Sequence, residues 1–581
     1  CYTKTLQLGS KYVYQTMPRL LTLWLDLGES KDNAGTAEAR SVVAKANGKI
    51  ASAMRSIATY KWLTAFPQIV SRIDHSNRSV FEVLSNLITK VLEEYPHQGV
   101  WLFMSVVQSK KAERNRRGEA IINRIMQSTP KNSEATVTHI IAQCRAMTNE
   151  LLKLCSHVVV DEPKAPLSMG KLFPGLAKLA PSQLIVPLQE SLLATLPSES
   201  SLEASHQPFP HHLPTIYRFD DGIEVMKSLA KPRKITLRAD NGKVFSFLGK
   251  PKDDLRKDAR LMDFNAMINK LLKKNSDSRR RQLHIRTYSV VTLNEESGLI
   301  QWVPNTIPMR PVLLRSYELR SIPFWSSKIQ HSFAKVKELP LDQAAEIFAR
   351  EVLPSYPPVF HEWFIDTFPE PSAWLASRIC FARTAAVMSM VGYILGLGDR
   401  HAENILLDTN TGSVIHVDFD CLFERGKRLE TPERVPFRLT QNMQDGLGVT
   451  NVDGPFRIAC ETTMGLLRRN KDCLMSVLDA FVHDPLVEWE DEKKRMEKVR
   501  KSANQRKRAY NVLKDEVDLR ELAKGALLPI QRKLQGIYAP WDSRGDDGKQ
   551  MSTTNHVDAL IQDAKSLKHL AKMYPGWGPF L

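Results

Sequence analysis

Residues 396–420 read GLGDRHAENILLDTNTGSVIHVDFD. Two short apolar runs within them, residues 404–407 (NILL) and 414–419 (VIHVDF), are predicted strands. Residues 409–412 (TNTG) between them form a predicted turn, because Asn and Gly tolerate positive φ. The hairpin sets Asn404 near one end of a paired unit and Asp418 near the other, so that both can face one point.

That set of side chains suits phosphoryl transfer. Such a site needs an Asp near the attacking hydroxyl, and an Asn and an Asp to hold Mg²⁺ on the phosphates. Asp399 and Asn404 are five residues apart, the step of the D-x-x-x-x-N catalytic loop of protein kinases. The triplet here is Asp399-Arg400-His401, where ordinary protein kinases have His-Arg-Asp. A lone triplet of this kind marks a surface turn. D-R-H-x-x-N followed by strand, turn and a strand ending in Asp-Phe is far more specific.

At these residues the chain resembles the phosphatidylinositol 3-kinase-related protein kinases. LGLGDRHAENIL and HVDFDCLFERGKRLETPERVPFRLT match that family's catalytic and activation loops. VGYILGLGDRH, HVDFDCLF and KPKDDLRKDARLMDFN narrow the resemblance to the ATR/Mec-type DNA-damage checkpoint kinases, in a fungal-looking version. It runs from roughly Trp62 to the last residue. The fold class it implies is an α+β bilobal kinase domain of the phosphatidylinositol 3-kinase-like type. A helical solenoid, the end of a FAT region, precedes that domain, and a helical FATC end follows it. The expected boundaries are solenoid 1–205, kinase N-lobe 206–303, C-lobe 304–485, regulatory insertion 486–550 and FATC 551–581.

Composition allows this reading. A length of 581 residues suggests about three to four domains. Lys plus Arg is 81 against 64 Asp plus Glu, a formal charge of +17. Spread over this length, the charge fits an enzyme handling polyphosphates or acidic partners, without itself indicating nucleic-acid binding. The seven cysteines form no CxxC pair, so a reducing compartment is the default and zinc is not indicated. The longest nearly apolar run, residues 385–398, is too short to span a bilayer, and no signal peptide is visible. The chain opens on Cys1 inside helical sequence, which suggests the C-terminal part of something larger.

Residues 1–205 are predicted almost wholly helical. Trp62, Phe66, Ile69, Val70 and Ile73 keep helical spacing, as do Val83, Leu84, Leu87, Ile88 and Val91. Pro67 suits a first helical turn, and residues 95–98 (YPHQ) break the pattern before a helix from Gly99. FPQIVSRIDH and EYPHQGVW resemble the end of the FAT region. Residues 197–212, rich in Ser, Pro and His, mark a linker.

The pattern then turns β-rich. Residues 235–237 and 244–248 are strands about a 240–243 turn, and 283–291 is another. Residues 258–274 form a helix with Leu261, Met262, Phe264, Ile268 and Leu271 inward. The basic run 278–281, without interleaved aromatics, reads as a solvated or intramolecular face.

The resemblance assigns ATP as cofactor, with Mg²⁺ or Mn²⁺. Residues 226–234 are then the phosphate-covering loop, with Ser228 and its basic neighbours meeting the phosphates in place of the usual glycines. Lys250 pairs with the ATP phosphates and is oriented by Asp253 or Asp258, with Asp258 favoured. A flexible ammonium must be held in place to act on phosphate. Val303 bonds adenine through its backbone and Trp302 packs on it; Ile300, Leu406 and Val417 complete the apolar slot. Asp399 orients the substrate hydroxyl or takes its proton. His401 stabilises the transferring phosphoryl or shares the proton work, the division being left open. Asn404 and Asp418 ligate the metal through hard oxygens, and His416 is structural.

Asp418-Phe419-Asp420 stands where most protein kinases have Asp-Phe-Gly. An Asp there is expected to make the activation loop less free to flip, because Gly adopts backbone angles that cost Asp energy. The ATR-type subgroup resembles this chain in lacking that Gly, so the departure is not a sign of inactivity. Up to Arg434 the activation segment sets four basic residues, Arg425, Lys427, Arg428 and Arg434, against Glu424, Glu430 and Glu433. That near-neutrality favours a protein substrate over an inositol phosphate headgroup. The basic run 493–508 is read as a connector, 517–534 as a helix and 543–554 as a flexible loop. Val557, Leu560, Ile561, Ala564, Leu567 and Ala571 lead helically into MYPGWGPFL, which resembles a FATC end.

The implied activity is a protein serine/threonine kinase acting on Ser/Thr-Gln in DNA-damage and replication-stress signalling, in the nucleus. An ATRIP/Ddc-type obligate partner is implied, which brings the kinase to RPA-coated single-stranded DNA. A homodimer of heterodimers is expected, and no membrane partner. Three alternatives compete: a phosphatidylinositol lipid kinase, a pseudokinase scaffold and a direct DNA-binding module. The FATC end speaks against the first, the intact Asp399, Asn404 and Asp418 against the second, and the lack of a nucleic-acid motif against the third.

Overall fold

The structure is a computed structural model and describes residues 1–29, 37–128, 137–159, 165–197, 205–227, 230–483, 519–541 and 548–581. The chain divides into two compact units, one of residues 1–263, 288–303 and 472–522, the other of 264–287, 304–471 and 523–581.

The first unit opens with helical hairpins. Arg78–Glu94 is capped by Asn77, whose side chain accepts from the amides of Ser79 and Val80. Phe66–Ser71 carries Pro67 in its first turn, as expected. The next helix, Pro96–Val107, starts at Pro96 rather than Gly99, since proline at the first helical position gives up an amide that has no helical partner. Trp62, Phe66, Ile69, Ile73, Leu84, Leu87, Ile88 and Val91 are all buried. The expectation of helix throughout 1–205 fails after Ser156. Prolines 166, 181 and 187 remove amide donors and clash within helices, and among the described residues of that stretch only short helices and a strand form.

That strand joins an antiparallel sheet of seven: β1 (Leu167–Ser168), β2 (Ile216–Phe219), β3 (Gly222–Val225), β4 (Arg233–Ala239), β5 (Val244–Pro251), β6 (Val290–Thr292) and β7 (Ser297–Gln301). The order is β1-β3-β4-β5-β7-β6, with β2 also on β4. The β4–β5 hairpin turns at Gly242, φ 77°. The strand expected over 283–291 shrinks to β6. In the second unit, Ile285 satisfies its backbone on the side-chain amide of Asn269 instead of a ladder, donating at 2.7 Å and accepting at 2.8 Å. The helix Arg256–Lys274 forms, and its five expected inward residues are buried. The basic run 278–281 lies in and just after a short helix, Ser276–Arg280.

The second unit is built on the helix Pro371–Leu395. It is the long apolar helical run expected from the sequence over residues 374–397, leading into the catalytic loop; it is long and apolar enough to cross a membrane, but 78% of its most apolar window is buried in the protein. It is a core helix. Gly396, at φ 63°, ends it, where a Cβ would strike the Glu424 amide. A three-stranded sheet follows: β8 (Thr306–Pro308), β9 (Ile405–Asp408) and β10 (Val414–His416), in the order β10-β9-β8. The Asp408 carboxylate closes the β9–β10 turn, accepting from the amides of Asn410 (2.8 Å) and Thr411 (3.0 Å).

The expected helix 517–534 is Leu519–Leu534. Of the expected flexible loop 543–554, the described part holds a strand, β12 (Lys549–Gln550), which pairs with β11 (Ile537–Tyr538), and the start of the helix Thr553–Lys565. The basic run 493–508 lies outside the described residues. In the C-terminal helices Val557, Leu560, Ile561, Ala564 and Ala571 are buried, whereas Leu567, at a helix start, is exposed.

The C-terminus closes this unit. Phe580 is fully buried, its ring 4.5 Å from Tyr356 and 5.6 Å from Phe333. Phe580→Ala is expected to cost about 3–5 kcal/mol, read as a lower urea midpoint and faster proteolysis of the C-terminal segment. An unchanged midpoint would show that the cage contributes nothing.

Candidate active site

Antiparallel pairing places Asn404 and Asp418 at the same open end of the hairpin, not at opposite ends. Ile405 pairs with His416, and the Val417 amide donates to the Asn404 carbonyl at 3.1 Å. Asn404 turns its Nδ2 to the Asp399 carbonyl at 3.0 Å, which leaves Oδ1 for another partner. Asp399 and Asp418 both have left-handed backbones, φ 57° and 61°. Asp420 does not, so the left-handed residue of Asp418-Phe419-Asp420 is Asp418 rather than the one that replaces the usual Gly.

Arg400, which carries no motif role in the sequence, holds this geometry. Its buried guanidinium donates to Gly398 O (2.9 Å), Val417 O (2.8 Å) and Asp418 O. Catalytic loop and strand end are thereby one piece. Burial raises the Asp399 carboxyl above its ordinary range; His401 and Arg400 oppose this, while Asp418 and Asp420 add to it. Burial lowers His401, against the pull of Asp399 and Glu403. The His401 Nδ1 accepts the Glu403 amide proton at 3.2 Å, so the neutral ring carries its own proton on Nε2. His416 is pushed down to about 3 by burial, and among the described residues its Nδ1 has no partner. It stays neutral, in keeping with a structural role.

The donor set fits a divalent cation. Among the described residues no hydrogen bond or ion pair engages the Asp418 carboxylate. With Asn404 Oδ1 it offers two hard oxygens, the number at which Mg²⁺ keeps waters and phosphate oxygens as its other ligands.

The first-unit residues expected to bind ATP lie along β5 and β7, in the two residues after β7 and at the start of the helix Arg256–Lys274. Lys250, on β5 opposite Gly298, pairs with Asp253 at 3.0 Å. Asp258, the favoured partner in sequence, is buried in the first turn of Arg256–Lys274. Ile300 is on β7, Val303 is buried, and Trp302 lies under the Lys234 ammonium at 5.0 Å. Ser228 falls outside the described residues. In the second unit Leu406, on β9, and Val417 are half-buried beside Asn404.

Three further charged groups surround the catalytic loop. Arg438, fully enclosed, donates to Trp577 O (2.8 Å), Gly578 O (2.7 Å), Leu581 O (3.1 Å) and Arg400 O (3.3 Å), and lies on the Trp577 ring at 4.3 Å. Lys533, from the helix Leu519–Leu534, pairs with Glu424 and donates to Tyr393 O at 2.6 Å. Burial raises the Glu424 carboxyl, but Lys533 and Lys427 more than reverse this, to about 2. Glu433 accepts the Asp399 amide at 2.8 Å. Nothing local marks these residues in sequence, since each partner is distant along the chain.

Burial pushes the Glu433 carboxyl up to about 7 from 4.5. A raised folded-state value means that its contribution to stability is full below about 4.5 and is lost as pH rises through about 7. Glu433→Gln, which cannot ionise, is therefore expected to gain in unfolding midpoint relative to the parent between pH 5 and pH 8. A gap that does not change with pH would contradict the shift.

Comparison with known proteins agrees with this geometry. Residues 244–491 match the family Phosphatidylinositol 3- and 4-kinase, and residues 550–581 match the FATC domain. Residues 45–148 match Serine/threonine-protein kinase ATR-like, HEAT repeats. Protein kinase rad3 of Schizosaccharomyces pombe is 39% identical over 100% of this chain and 24% of its own length. Serine/threonine-protein kinase ATR of Arabidopsis thaliana is 40% identical over 100% of this chain and 21% of its own. The chain thus spans about a quarter or less of the length of these relatives. The solved FAT and kinase domain of CtTel1 superposes with a TM-score of 0.78 at 26% identity, covering 100% of this chain and 37% of that one. With a catalytic-domain match, a FATC match and such relatives aligned along its whole length, the chain is similar to the phosphatidylinositol 3-kinase-related kinases ATR and rad3.

Proposed function

We propose that this protein transfers the γ-phosphate of ATP to serine or threonine, as a checkpoint kinase of the ATR/Mec type. The observation that carries the reading is the open end of the β9–β10 hairpin, where Asp399, His401, Asn404 and Asp418 meet on one rigid loop. Among the described residues no hydrogen bond engages the Asp399 carboxylate, and burial raises its basicity. It is the group to orient the substrate hydroxyl and take its proton. His401, with its proton on Nε2, is a donor toward the transferring phosphoryl. Asn404 and Asp418 hold Mg²⁺ or Mn²⁺, which supplies charge neutralisation on the phosphates.

Lys250, oriented by Asp253 or Asp258, together with Ser228, is assigned to the ATP phosphates. Ile300, Trp302, Val303, Leu406 and Val417 are assigned to its base. The near-neutral activation segment favours protein over lipid, and Ser/Thr-Gln is the proposed target. Action in the nucleus, an ATRIP/Ddc-type partner, indirect placement on RPA-coated single-stranded DNA and a homodimer of heterodimers complete the proposal.

The test is phosphate transfer from ATP with Mg²⁺ or Mn²⁺, using the full-length protein with its partner. A Ser-Gln peptide, its Ser-Ala counterpart and phosphatidylinositol are offered side by side. Transfer to the Ser-Gln peptide alone is expected, falling at least about 100-fold in Asp399→Ala and abolished in Asp418→Ala. Transfer to lipid would replace this reading with a lipid kinase.

A further inference from the structure

We infer that Glu433 is a positioning residue for Asp399, setting the backbone of the catalytic loop from the activation segment. The inference rests on the kinase reading above and adds to it a residue outside the D-R-H-x-x-N motif.

The contact is specific. Glu433 Oε1 accepts the Asp399 amide at 2.8 Å, from 34 residues along the chain. Asp399 has φ 57°, a conformation in which its own amide makes no helix or strand bond. The carboxylate supplies the acceptor that this amide lacks. A carboxyl oxygen can accept this bond in either protonation state.

The slot for the carboxylate is built by glycine. A Cβ on Gly398 would stand 2.5 Å from Glu433 Oε2, and a Cβ on Gly426 would strike the same atom. Both positions must lack a side chain for the carboxylate to reach Asp399. Neither glycine has a positive φ, so their conformational freedom does not explain them, whereas this close approach does.

Glu433 is itself held on two further sides. Its amide donates to Gly426 O at 3.0 Å, and its carbonyl accepts Trp541 Nε1 at 2.9 Å. Arg434 beside it lies on the Trp541 ring at 4.2 Å and gives its amide to Met573 Sδ at 3.3 Å. The activation segment is thus anchored by the segment after the helix Leu519–Leu534 and by the C-terminal region, and through Glu433 it presses on the loop that carries Asp399. A residue acting this way changes the chemical step and leaves substrate binding alone.

The test uses Glu433→Ala, Glu433→Asp and Glu433→Gln in the full-length protein. Two readouts are taken: kcat and KM for ATP and for the Ser-Gln peptide, and amide exchange of the 396–404 segment by mass spectrometry. Glu433→Ala and Glu433→Asp are expected to lower kcat by about tenfold or more with both KM values within twofold, since small misplacements of a reacting group cost this much. Both variants should also speed exchange at Asp399. Glu433→Gln keeps an acceptor oxygen and should stay within about threefold of the parent in kcat, with slow exchange. A raised peptide KM at unchanged kcat would overturn the inference in favour of a substrate-contacting residue. So would a Gln variant as impaired as Ala, or an Ala variant with parental kcat and exchange. If Glu433→Ala does not fold, Glu433→Asp and Glu433→Gln decide the matter alone. Faster exchange in the Ala and Asp variants of a protein that transfers no phosphate would support the contact and overturn the kinase reading instead.

Discussion

One buried guanidinium holds the catalytic geometry together. Arg400 sits between the two aspartates of the site and spends its donors on the carbonyls of Gly398, Val417 and Asp418. Both aspartates are in left-handed backbone, at a cost of about 1–2 kcal/mol each. Nothing in a free loop would keep them there. The planar, always-charged fork of arginine reaches carbonyls on two chain segments at once, which a lysine ammonium could not do with the same geometry. The loop and the end of β10 therefore move as a unit, and Asn404 and Asp418 keep their relation without a metal to impose it.

The surroundings repeat this solution. Arg438 joins the Arg400 carbonyl to the last turn of the chain, through the main-chain oxygens of Trp577, Gly578 and Leu581. Lys533 fastens the helix Leu519–Leu534 to Glu424 at the start of the activation segment. Buried charges of this kind cost several kcal/mol in lost hydration unless they are met by partners; here carbonyls and a carboxylate meet most of the donors, while among the described residues Arg438 Nε has no hydrogen-bond partner. The C-terminal residues are part of the catalytic unit for that reason. Phe580 fills an aromatic cage while Arg438 holds the backbone around it. Truncation or displacement there acts on Arg400 through a single intervening side chain.

The missing glycine after Asp418-Phe419 illustrates how far local reasoning carries. The residue type at 420 suggests strain at that position, because Gly adopts left-handed angles freely and Asp does so at some cost. In the folded chain the left-handed residue is Asp418, and Asp420 is relaxed. Which residue takes the unusual angle depends on where the Arg400 fork pulls the carbonyls, which is a tertiary matter. The same holds for the strand expected over 283–291. Its β-branched and apolar residues favour extension, yet the Asn269 side chain takes the backbone of Ile285 and the ladder begins only at Val290.

By itself the sequence determined the hairpin around Asn404 and Asp418, the helices of the first 156 residues, the core helix leading into the catalytic loop, and the C-terminal helix ending in Trp577 and Phe580. These features rest on periodicity, turn chemistry and motif spacing, all of which are local along the chain and survive without knowledge of the fold. The tertiary structure alone decided that Asn404 and Asp418 share one end of the hairpin, and that Arg400, Glu433, Arg438 and Lys533 brace the site. A charged residue carries no mark of its partner in its own neighbourhood. Lys533 and Glu424 are 109 residues apart and Arg438 and Leu581 143, and only folding brings such pairs within reach of a hydrogen bond.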